Sequence, residues 1–121
     1  VNLDDLKGRL ESARTFDHAI GHITFRVRLP SEAKVARIYA TYRGATANVD
    51  AMHDLLAASV IGMRGATLKD IALDGDDVLP DDVGFAMALL DERQDIAVEL
   101  TNEIGKRLQE RASRIEADQK N

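Results

Sequence analysis

Apolar and polar positions alternate most cleanly in "HITFRVRLP", where Ile23, Phe25, Val27 and Leu29 take one side and His22, Thr24, Arg26 and Arg28 the other. A period of two predicts a half-buried strand, which Pro30 ends. In five other segments the apolar residues recur every three or four positions. Asn2 can cap a first helix carrying Leu3, Leu6, Leu10 and Ala13, with Gly8 inside it. Residues 1–16 are therefore expected to form a mobile helical arm. Ser31 caps a second helix through about Arg43, with Val35, Ile38, Tyr39 and Tyr42 inward and Gly44 as its stop. Asn48 starts a third, striped by Met52, Leu55, Leu56, Ser59 and Val60. Asp81 or Asp82 caps "VGFAMALLDER", and residues 95–118 predict a long last helix with Ile96, Leu100, Ile104, Leu108, Ala112 and Ile115 on one stripe.

The expected fold is a single domain, mainly α with a small β element (α+β): four to five helices and one short strand or hairpin. A lone strand leaves backbone groups unpaired. Its partner is sought in Thr15–Ile20, in Thr67–Leu73, or in another copy of the chain, with an internal hairpin preferred.

Composition fits this picture. The 121 residues suit one modest core, and aromatics at 4% with no Trp leave that core to aliphatic residues, which favours helix packing. A net charge of −5 has the wrong sign for a nucleic-acid footprint, so no nucleic-acid partner is expected. Without cysteine there is no disulfide or thiol chemistry. No apolar run approaches the roughly 20 residues of a membrane span, and no membrane partner is expected. The chain opens on Val1 rather than Met, implying that a start residue or tag has been removed.

Candidate chemistry is sparse. In "VIGMRG", Gly62 and Gly65 make a G-x-x-G that follows a helix, whereas a phosphate loop follows a strand and precedes a helix. The expectation is that Gly62 stops a helix in a left-handed conformation, Gly65 permits a tight turn, and the turn presents Met63. Asp74, Asp76, Asp77, Asp81 and Asp82 fail the calcium-loop pattern, because Ala72 stands at the third position and Asp81 where the long glutamate belongs. A solvated acidic connection is expected, with a possible second use as a docking patch for a basic partner. His18, His22 and His53 form no metal motif, and Ser12, Ser31, Ser59 and Ser113 sit in no nucleophile elbow. No enzyme activity, metal or cofactor is expected.

The last helix carries the stronger binding signal. Lys106, Arg107, Arg111 and Arg114 interleave with Glu103, Glu110, Glu116 and Asp118, as on a solvated face, with Glu103–Arg107 and Glu110–Arg114 spaced for pairing. Its apolar stripe runs past what a small globule covers, leaving it to dock on its own domain or on another protein's helix.

From about Arg28 to Asn121 the sequence resembles the tail assembly chaperones of long-tailed, siphovirus-type phages and prophages. The likeness lies in "RLPSEAKVARI", "SVIGMRG", "DDVLPDD" and the terminal "RIEADQKN". Related proteins carry an aromatic between the two glycines and Phe-Ser after the proline; here Met63 and Asp81-Asp82 stand instead. The resemblance implies a non-catalytic protein of the bacterial host cytoplasm that coats the tape-measure protein and helps deliver tail-tube subunits. It further implies self-association into a homo-oligomer and, in many members, a longer frameshifted form. On that reading the contact surfaces are the "VIGMRG" turn, with Met63 and Arg64, and the last helix, with Leu100, Ile104, Leu108 and Ile115. The alternative is a virion structural protein such as a head–tail connector or tail-completion subunit.

Overall fold

A computed structural model of the chain describes residues 1–42 and 47–120. Among them are α1 (Leu3–Arg14), β1 (Thr15–Ile20), β2 (Ile23–Arg28), α2 (Glu32–Thr41), α3 (Ala47–Ser59), β3 (Val60–Arg64), α4 (Val83–Glu92) and α5 (Gln94–Lys120), with a 3-10 turn at Leu68–Ile71. The architecture is mainly α with a small antiparallel sheet, as the hydrophobic pattern predicts. The expected helix stop at Gly44 lies outside the described residues.

The clear strand finds its partner inside the chain. Thr15–Ile20 pairs with β2 across a two-residue turn, from Thr15 opposite Arg28 to Ile20 opposite Ile23. Gly21 takes the left-handed backbone that this turn demands, with φ 61°. The order in the sheet is β1-β2-β3, so the alternating strand is the central one.

The third strand corrects the reading of "VIGMRG". α3 passes directly into β3, where Met63 pairs with Phe25 and Gly62 with Arg26. Gly62 is not left-handed and stops no helix; among the described glycines, Gly21, Gly65 and Gly75 have positive φ. It stands at a close approach instead. A Cβ there would lie 2.6 Å from Asp81 Oδ1, the atom that accepts the Met63 N–H at 2.8 Å. That bond closes part of the outer edge of β3. Gly65 does make the turn, at φ 88°, and its missing Cβ would sit 2.2 Å from the His22 carbonyl oxygen. The register slips between Arg26 and Val27, leaving Ile61 as the extra residue of a bulge.

One face of the sheet bears the core. Ile23, Phe25 and Val27 point from β2 into a cluster with Leu55 and Leu56 of α3, Leu89 and Leu90 of α4, and Leu100 and Ile104 of α5. The other face carries the paired charges of Asp17, Arg26 and Arg64. Three expected caps are present: Asn2 accepts from Asp5 N–H, Ser31 from Lys34 N–H and Asp82 from Phe85 N–H. Of the inward set expected on α2, Ile38 is buried and Val35 and Tyr42 are half-buried, whereas Tyr39 lies exposed. α2 is thus covered along a narrower stripe than its sequence suggests.

Candidate interaction surface

α5 is a single 27-residue helix with two different environments. Ile96, Ala97, Leu100 and Ile104 are buried against α3, α4 and the sheet. Leu108 is half-buried, and Ile115, two turns further on, is 46% exposed. The change comes at Arg107. Its guanidinium stacks over the Phe16 ring at 3.7 Å and its Nε donates to Glu103 Oε1 at 3.0 Å. The bond from Arg107 holds the Glu103 carboxyl below its usual range. This cluster ties α5 to β1, and the helix then runs on for roughly 20 Å.

Beside the distal half lies an apolar groove of about 130 Å³. Val35 and Pro30 form one wall, while Leu108, Ala112 and Ile115 form the other. Arg111 and Glu32 rim it with opposite charges. Both walls follow from local rules. Pro30 ends β2, Ser31 caps α2 and so places Val35, and the stripe of α5 continues at steps of three and four.

The residues singled out from sequence separate into two groups. Met63 is 1% exposed and Leu100 and Ile104 are 0% exposed, all within the core. They are unavailable to a partner of the folded chain, because Met63 lies on the sheet's inner face and the first eleven residues of α5 pack beneath it. Arg64 is exposed, but its guanidinium pairs with Asp17 at 3.3 Å on the open sheet face, away from the core side on which α5 packs. Leu108 and Ile115 come together in the groove. Val35 and Pro30, which complete it, escape sequence reasoning because they approach α5 only in the tertiary fold.

Other polar clusters serve the fold. His22 Nε2 lies 2.8 Å from Asp70 Oδ1, and Asp70 Oδ2 accepts the Thr67 N–H at 2.7 Å. Burial pushes the Asp70 carboxyl up, but the bonds from His22 and Thr67 outweigh it and leave it below the usual carboxylate value. Arg93 donates to the Asp70 carbonyl at 2.8 Å, joining this knot to the start of α5. On the open sheet face, the hydrogen bond from Arg26, helped by Arg64, lowers Asp17. A cleft of about 300 Å³ between α3, α4 and α5 holds His53 and Asp91, 3.4 Å apart, over Met52 and Met87. The described residues contain no group of three or more His, Asp or Glu placed to hold a metal ion. Nor do they contain a helix long and apolar enough to cross a membrane.

Comparison with protein-family models, with curated proteins and with solved structures finds no significant match to this chain.

Proposed function

We propose that this chain is a non-catalytic protein-binding subunit, and specifically a tail assembly chaperone of a long-tailed phage or prophage. In this role it holds the tape-measure protein in the host cytoplasm and helps bring tail-tube subunits to it. The observation that carries the reading is the distal half of α5. A helix whose apolar stripe continues past its own core, beside a preformed apolar groove with a charged rim, is suited to receive an amphipathic helix. A client made of a long helical rod offers many such segments, and many weak contacts along one rod add up through avidity. The motifs from Arg28 to Asn121 supply the specific identity of that client. With Met63, Leu100 and Ile104 in the core, Leu108, Ala112 and Ile115 are the contact residues of this proposal.

Co-expression with the longest coiled-coil protein encoded nearby, followed by affinity capture and sizing, tests the reading. Many copies of this chain on one long protein that stays in solution only in that company is the expected result. A long protein that ignores this chain, while the chain closes into a ring by itself, overturns the chaperone reading in favour of a head–tail connector.

A further inference from the structure

α5 carries a second concavity on the face next to the groove, where the helix passes the end of α1 and the start of β1. Its floor is Phe16 and Leu29, and three arginines line it along α5: Arg107, Arg111 and Arg114. In a chain of net charge −5 such a concentration does not follow from composition. Like charges at (i, i+3) and (i, i+4) repel, and an anion beside the row relieves that repulsion. The chain itself supplies little. Arg107 spends its Nε on Glu103 and is held there by its stacking on Phe16. Glu11, in the last turn of α1, is turned to Arg28 at 3.3 Å. Glu110 lines the pocket, yet the Glu110–Arg114 pair that the spacing allows is not formed. Among the described residues, neither Arg111 nor Arg114 makes an ion pair. Arg14 brings a further positive charge to the end of α1, and its Nε is buried without a hydrogen-bond partner.

We infer that this pocket, between the end of α1, β1 and α5, binds a small phosphoryl anion, either free phosphate or a phosphomonoester. Guanidinium forks match the oxygens of such a group, and the charge-assisted bonds between them are short and strong. A carboxylate offers two oxygens, whereas a phosphoryl group offers three acceptor oxygens and close to two negative charges, the better match to three guanidiniums. The pocket holds about 160 Å³, below the roughly 300–1,000 Å³ of sites for larger organic ligands, which suits one such group. Phe16, Arg107 and Arg114 lie outside the apolar groove, and Arg111 is the one residue common to both. The site therefore stands whether or not a tape-measure protein is the client.

Titration of the full chain with inorganic phosphate at constant ionic strength, followed by calorimetry and by NMR of the arginine side chains, gives the test. Saturable one-to-one binding that moves the Arg107, Arg111 and Arg114 signals together is expected. Arg114→Gln, at an exposed position, is expected to weaken binding about tenfold with helix content unchanged. Glu110→Gln, which removes the carboxylate from the rim, is expected to strengthen it. Arg37→Gln, at an exposed arginine of α2 outside the pocket, leaves it unchanged. Glycerol 3-phosphate in place of phosphate separates the two sources: tighter binding assigns the site to a phosphomonoester, equal or weaker binding to free phosphate. Shifts that stay linear in phosphate concentration, that chloride or acetate reproduces in size, or that survive Arg114→Gln overturn the inference.

Discussion

The two halves of α5 share one sequence pattern and differ in what surrounds them. From Ile96 to Ile104 the stripe is sealed under the sheet, and these side chains hold the fold together. From Leu108 to Ile115 the same steps continue, but the partners thin to Val35 and Pro30, and Ile115 is left nearly half exposed. Periodicity specifies which face of a helix is apolar; only the rest of the chain decides whether that face is covered. The difference separates stability from binding along one helix.

The comparison predicts a steep gradient of mutational cost. Leu100→Ala, with no solvent exposure, is expected to lose about 2–5 kcal/mol in denaturant unfolding. Gly65→Ala tests the sheet beneath that half of the helix. Its left-handed backbone and the 2.2 Å approach to the His22 carbonyl predict a loss of at least about 2 kcal/mol, read as a lower melting temperature. Asp70→Asn weakens the knot joining the β1–β2 turn to the start of α5, at a cost of about 1–3 kcal/mol at neutral pH. The Asp70 carboxyl is depressed in the folded chain, so its contribution is complete above the ordinary value of 3.8 and is lost as pH falls through the folded value. Melting curves of wild type and Asp70→Asn are therefore expected to converge in acid; a constant gap would place the effect elsewhere. Smallest of all, Ile115→Ala is expected to change monomer stability by no more than about 0.5 kcal/mol while abolishing capture of a helical partner.

Much of this fold was legible in the sequence. The alternating strand, the caps at Asn2, Ser31 and Asp82, and the stripe of α5 all follow from local rules, and each is present. β3 was hidden for a physical reason. Its five residues continue the apolar run of α3 and contain Gly62, against which the Asp81 carboxylate packs from 19 positions away. No local rule reports an approach of that kind. Misplacing Met63 followed directly, since a residue assigned to a turn is expected outside and the same residue in this strand lies inside. The candidate site was half legible: Leu108 and Ile115 come from the stripe, whereas the wall from Pro30 and Val35 comes from the return of α2 to α5. The His22–Asp70 pair, 48 positions apart, carries no motif at all.

Amide hydrogen exchange along α5 tests the division of labour most directly. In dilute solution, residues 96–104 are predicted to exchange slowly, near the rate set by global unfolding, and residues 109–118 many times faster. Adding the helical client is predicted to slow the distal residues and leave the proximal ones unchanged. Equal protection along the whole helix in the dilute chain, with no response to the client, would contradict the account.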